Sequence, residues 1–311
     1  MVSLRQIRRL LKETISEWQL NEVSLLASSL AYYTVFSLAP LMAIVILIVG
    51  AIFDETVATE QLVAQMRDLF GTEGAQLLAN AIAYMKTDAN EQEPFQLLFN
   101  LGFLLAGATG VFAQIQDALN RIWEVRPTPG RHLFHFLRKR LLTFVMVLAI
   151  ALLLLVSFFG NSILIAFVDL LNELVPGSGN LWQIVSLSVS FGVTTLIFAL
   201  MYAILPDAEI AWRDTLIGAI VTALLFLLGQ FLFGLFLTQT NFGSAYGVAG
   251  SFVIVITWIF YAAHILLLGA EFTKVYAKHR GSPITPSDYA ISVTRSRQRH
   301  SQIFRKDRHY F

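Results

Sequence analysis

From Thr215 to Ala270, fifty-six consecutive residues carry no Asp, Glu, Lys or Arg. One helix of that length would run about 84 Å, against roughly 30 Å for the hydrocarbon core of a bilayer. The run has to reverse, and TQTNFGSAYGVAG, at Thr238–Gly250, is where polar residues and glycines interrupt it. Two spans result, at about 215–237 and 249–270, with Asn241, Gly243, Tyr246 and Gly247 as the candidate hairpin turn. Irregular backbone at membrane depth has to be buried in protein or line a wet cavity. The turn is therefore expected to dip toward the bundle interior and leave Tyr246 partly buried.

Four more apolar runs precede this hairpin, at about 25–53, 94–116, 141–168 and 181–205. Only 14% of residues are charged, against about 25% in an ordinary soluble domain, so lipid rather than water has to be the solvent for most of the surface. The expected fold is all-α: a polytopic membrane protein with six transmembrane helices occupying residues 23–278. Residues 1–22 place Ile7, Leu10, Leu11, Ile15 and Trp18 near one helical face and Arg5, Arg8, Arg9 and Lys12 elsewhere. That is the pattern of an N-terminal amphipathic helix lying in the membrane interface. The acidic segment Asp54–Glu93 repeats apolar residues at helical spacing and reads as short extracytoplasmic helices between spans one and two. The basic stretch 279–311 reads as a disordered cytoplasmic tail.

Six spans alternate sides, so the bases can be sorted by side. Twenty of the twenty-two Lys and Arg fall with the two termini, and only Arg67 and Lys86 fall opposite. By the positive-inside rule both termini are cytoplasmic. No cysteine is present, which excludes disulfides, thiolate nucleophiles and cysteine metal sites. No G-x-x-x-x-G-K-[ST] phosphate loop and no G-x-S-x-G nucleophile elbow occur. The six histidines are scattered, so no metal site, cofactor or catalytic constellation is expected, and a metal-dependent nuclease is rejected.

What remains are polar groups near membrane depth, where they are costly. Asp117, Asn120, Arg121 and Glu124 fall at i, i+3, i+4 and i+7, one helical stripe at the inner end of span two. Glu271 ends span six, with Lys274 one turn on. Together these form a candidate polar vestibule or a structural inner rim. An ionised Glu271 needs cationic or hydrogen-bonding partners there, and Arg121 lies at the corresponding depth. The expectation is that Glu271 pairs with Arg121 or another base of the inner rim, fixing span six against span two. Tyr33, Gln230, Tyr261 and His264 are the candidate intramembrane contacts.

Several stretches, SSLAYYTVFSLAPL, ALNRIWEVR, YAILPDAEIAWRDTLIGAIVTALLFLLGQFLFGLF and YGVAGSFVIVITWIFYAAHILLLGAEFTKVYA, resemble the YihY/BrkB family of bacterial inner-membrane proteins. The resemblance covers residues from about 25 to 278, in order. It implies six helices and an inner-membrane location. Some members once carried a ribonuclease BN label regarded as erroneous, and members are linked to serum resistance and to moving lipid or lipopolysaccharide precursors outward. Two functions are carried forward: a translocator or exporter component for lipid-type amphipathic substrates, and a non-transporting partner or scaffold of envelope machinery. The expected partners are membrane lipids, with anionic headgroups at the cytoplasmic face, and a second copy or an envelope protein. No specific nucleic acid is expected.

Overall fold

The computed structural model describes residues 4–52, 59–60, 63, 67, 75–76, 79–80, 107, 110–128, 179–239, 242–282 and 284–293. Span three, at 141–168, lies outside the described residues, as do most of span two and of the acidic segment. The described residues between 59 and 80 are helical.

Among the described residues the main helices are α1 (Leu4–Leu20), α2 (Val23–Ile52), α3 (residues 110–122), α4 (Gly179–Ile204), α5 (Trp212–Gln239) and α6 (Phe242–Arg280). Among the described residues, Leu187–Ile204, Trp212–Phe236 and Phe252–Arg280 are long and apolar enough to cross a membrane, and Val23–Leu38 is a shorter apolar helix. The helical backbone of α2 continues through Pro40.

The candidate turn is largely helical: Gly243, Tyr246 and Gly247 lie inside the first turns of α6, and α5 runs to Gln239; Asn241 and the side chain of Tyr246 lie outside the described residues. A glycine inside a helix costs about 1 kcal/mol relative to alanine. Backbone groups left unpaired in an apolar surrounding cost several times more, so the helix is extended through the glycines to the last available residue.

Helix α6 is the axis of the molecule. Its 39 residues give about 58 Å of helix, and α1, α2 and α5 all pack on it. Its contact with α5 is set by two glycine–threonine pairs running in opposite senses. Gly218 of α5 lies under Thr273 of α6, and Gly269 of α6 lies under Thr222 of α5. A Cβ on either glycine would overlap the facing hydroxyl. Each threonine turns its own hydroxyl back onto the carbonyl four residues earlier, Thr222 onto Gly218 and Thr273 onto Gly269, both at 2.7 Å. Small residues spaced by four let the backbones approach, which is how helices associate where no hydrophobic effect drives them. Tyr202 of α4 closes this node, donating to the Leu266 carbonyl at 2.6 Å and lying 3.1 Å from Thr222 Oγ1. Farther along, Phe226, Phe233 and Trp258 stack in one aromatic row between α5 and α6.

Among the described residues the polar end of the bundle is tied by four short strands, β1 (Val125–Pro127), β2 (Ala208–Glu209), β3 (Thr285–Pro286) and β4 (Ala290–Ser292). Strand β4 pairs antiparallel with β1, Val125 opposite Ser292, and β3 pairs antiparallel with β2, Ala208 opposite Pro286. The segment expected to be disordered from residue 279 onward is therefore ordered through 293. Backbone hydrogen bonding holds it: Thr128 N–H donates to Tyr289 O at 2.9 Å, Val293 N–H to Glu124 O at 2.8 Å and Ser287 N–H to Asp207 O at 3.1 Å.

Candidate functional site

The site grows out of the point where α6 leaves its apolar run. Glu271 is the first charged residue of that helix, and its side chain is fully buried. Helix α1 runs back along this end of α6, and the contacts advance in opposite directions on the two chains. Glu13 reaches His279 at 3.4 Å, Glu17 reaches Lys274 at 3.1 Å, and Asn21, just past the end of α1, donates to Glu271 Oε1 at 2.6 Å. The Arg9 hydrogen bond holds the Glu13 carboxyl below its ordinary range, against the opposing effect of burial. Thr14 is buried on the α6 side of α1, whereas Ile7, Leu11 and Ile15 stay exposed. Trp18, placed by the sequence on the apolar face of this helix, packs against His264 with ring centroids 6.1 Å apart.

Helix α3 arrives from the other side. Lys274 Nζ sits 3.0 Å from Glu124 Oε1, so one ammonium joins α1, α3 and α6. Trp123 Nε1 donates to the Ala270 carbonyl at 3.4 Å. Arg121 turns outward to Glu22 at 3.0 Å, in an exposed ion pair. Asn120 points inward and is buried, donating to Asp207 Oδ2 at 2.8 Å and accepting the Asp207 N–H at 2.8 Å. Gln116 donates to the other carboxylate oxygen at 2.9 Å. Two amides thus hold a buried Asp207 between α3 and the α4–α5 connector.

The expected Glu271–Arg121 pair does not form. The α1–α2 turn stands between the two helices, and its adjacent residues face opposite ways: Asn21 takes Glu271 of α6, and Glu22 takes Arg121 of α3. Span two and span six are fixed together at this level, but through that turn and through Lys274. Glu22 and Glu124 both have positive φ, at 52° and 57°. These are post-helix positions that glycine or asparagine ordinarily fill. Here each carries a carboxylate that holds a base, so the side chain is kept at the expense of backbone strain.

Around these groups lies a cavity of about 890 Å³, walled by Asn21, Asp117, Asn120, Arg121, Glu124 and Arg126, with Leu20, Val125, Pro127 and Val293 supplying an apolar lip. Four of the sequence-predicted residues therefore meet on one cavity. Glu271 and Lys274 lie immediately behind its wall, through Asn21 and Glu124. Asn21, Glu17 and Glu22 were missed from sequence, because nothing in a short polar turn reveals which distant helices it will separate.

The deeper candidates lie in separate places. Tyr33 is exposed on α2, edge-on to Tyr32. Tyr261 of α6 lies over Gly229 of α5, next to the half-buried Gln230. His264 faces the start of α2, with Nε2 at 3.3 Å from Ser24 Oγ and Nδ1 at 3.0 Å from the Phe260 carbonyl. On the other face of α2, Ser29 accepts a hydrogen bond from Gln114 of α3 at 2.9 Å.

A family model described as Virulence factor BrkB matches residues 14–290 of the chain. The chain belongs to the virulence factor BrkB family. Among its curated relatives, a UPF0761 membrane protein of Pseudoalteromonas translucida (strain TAC 125) is 26% identical over 266 residues, covering 81% of each chain. A UPF0761 membrane protein of Psychrobacter sp. (strain PRwf-1) is 24% identical over 270 residues, 86% of this chain but only 48% of the relative. Several relatives are thus substantially longer than the part that this chain matches. A putative ribonuclease-like protein YfkH of Bacillus subtilis (strain 168) is 23% identical over 277 residues, 88% of this chain and 97% of that one. No solved structure matches. Family membership and the long apolar helices make this BrkB-family chain an integral membrane protein.

Proposed function

We propose that the chain is a translocator or exporter component of the bacterial inner membrane, that both termini are cytoplasmic, and that the rim cavity accepts the headgroup of a lipid-type amphipathic substrate. The observation that carries this reading is the composition of the cavity wall. Charged and amide side chains share one space with an apolar lip at Leu20, which is itself largely exposed. At about 890 Å³ the space falls in the size range of small-molecule sites, about 300–1,000 Å³. Among the described residues Arg121 is held only by an exposed ion pair, worth at most about 1 kcal/mol, so an incoming anion can compete for it.

The test is to purify the full chain in mild detergent and identify bound lipid by native mass spectrometry. One amphiphile should be retained, and Arg121→Gln together with Arg126→Gln should strip it while the protein stays folded. Absence of any bound lipid, or equal retention by the variant, rejects the reading. The separation of Tyr33, Tyr261 and His264 favours the second reading, a non-transporting partner of envelope machinery. Under that reading the same purification yields a protein partner and no lipid.

A further inference from the structure

We propose that Glu271 is a proton-binding site, exchanging its proton with the rim cavity across Asn21. The side chain is fully buried. Oε1 receives the Asn21 amide at 2.6 Å, while Oε2 is buried and has no hydrogen-bond partner among the described residues. The charges facing it can be counted by element. Helix α1 presents Glu17, α3 presents Glu124, and α6 itself presents Lys274. The start of α2 presents Ser24 against His264, two turns up α6. Glu22 and Arg121 neutralise one another on the outer side.

Among the described residues Lys274 is the base whose charge acts on this group, and its ammonium is already shared by Glu17 and Glu124. An ionised Glu271 would compete with two other carboxylates for that ammonium and would place its charge on a buried oxygen that has no hydrogen-bond partner among the described residues. Burying an unpaired charge is far costlier than burying a neutral hydroxyl. A proton on Oε2 removes that cost and leaves Oε1 free to keep the Asn21 bond. A divalent cation is the poorer occupant. It needs six or more oxygens, Glu17 and Glu124 are committed to Lys274, and no group of three or more His, Cys, Asp or Glu that could hold a metal occurs among the described residues.

The path is short. Asn21 stands both in the cavity wall and on Glu271, so one side-chain rotation opens Glu271 to cavity water. A proton then passes from a hydronium ion of that water to Oε2: one O–H bond of the hydronium breaks, the Oε2–H bond forms, and a neutral water is left. When the proton leaves, the carboxylate strengthens its hold on Asn21 and draws Lys274 away from Glu17 and Glu124. Both changes act on the α1–α2 turn and on the cavity wall. Proton occupancy and cavity shape are thereby linked, which gives the proposed transport a source of energy. Only this last link rests on the transport reading.

The test is infrared difference spectroscopy of the full chain in lipid nanodiscs, titrated from about pH 5 to about pH 9, with and without sodium. A protonated carboxyl C=O band should be present at neutral pH, disappear as pH rises, be absent from Glu271→Gln, and not respond to sodium. Asn21→Leu removes the donor that favours the charged form, so the band should persist to higher pH. Identical carboxyl bands in wild type and Glu271→Gln overturn the proposal, and a sodium-dependent band does so too. If Glu271→Gln fails to fold, Asn21→Leu decides alone: an unmoved titration overturns it. An intact band in a protein that binds and moves no lipid rejects the transport reading and leaves the proton site standing.

Discussion

Replacing Gly269 by alanine tests whether α5 and α6 are held by the reciprocal glycine–threonine node. A Cβ at this position would overlap Thr222 Oγ1, lie 2.9 Å from Thr222 Cβ, and press on the Tyr202 hydroxyl. None of these atoms belongs to the free end of a flexible chain. Thr222 is tied to the Gly218 carbonyl and Tyr202 to the Leu266 carbonyl. Overpacking of this kind costs about 1–3 kcal/mol, and three rigid neighbours put it near the top of that range. Alanine gives back about 1 kcal/mol of helix propensity, so the net loss should be about 2 kcal/mol. Thr222→Gly should also lose about 2 kcal/mol, about 1 kcal/mol through the hydrogen bond to the Gly218 carbonyl and about 0.8 kcal/mol through the buried methyl. The double variant moves the small residue across the interface and should lose much less than the sum, a coupling of at least about 1 kcal/mol. Equilibrium denaturation in mixed micelles measures all four proteins. Additive losses, or a Gly269→Ala variant more stable than wild type, would refute close backbone approach at this node.

Glu22→Gly and Glu124→Gly should behave oppositely under the same assay. Each relieves a left-handed residue, worth about 1–2 kcal/mol. Glu22 loses only an exposed pair with Arg121, and its variant should be as stable as wild type or more so. Glu124 abandons a mostly buried Lys274, so its variant should be less stable. Ending the chain at Arg280 removes β3 and β4 with their ladders to β2 and β1, and three further backbone hydrogen bonds to Glu124, Asp207 and Thr128, and should cost more than about 3 kcal/mol at about 1 kcal/mol per bond. For orientation, single cysteines at Thr59 and Ser178 should label from outside intact cells and ones at Thr128 and Ser296 should not; labelling at Thr128 from outside would invert the topology.

Much of this was legible from the residues, and the rest was not for identifiable reasons. The charge-free run announced a helical hairpin in lipid, because backbone pairing there leaves few alternatives. The stripe from Asp117 to Glu124 announced a polar rim, because its spacing is a property of one helix. Its partners were hidden: Glu271 and Asn21 are 250 residues apart, and a two-residue turn has no periodicity to read. The ordered tail was hidden for a related reason. Strands of two or three residues show no alternation, and a segment such as GSPITPSD reads as a loop until its pairing partners are known. The glycine–threonine node could have been found, since G-x-x-x-T occurs at both Gly218 and Gly269. Their reciprocal facing required the antiparallel register of α5 and α6.

The most direct test of the rim cavity as a substrate port is translocation in proteoliposomes containing the full chain and a headgroup-labelled anionic lipid, followed by quenching from outside. Wild type should move label across the bilayer, faster with a proton gradient than without one. Arg121→Gln combined with Arg126→Gln should abolish the movement in a folded protein. Movement that is unchanged in that variant, or no movement by wild type above empty vesicles, would contradict the account.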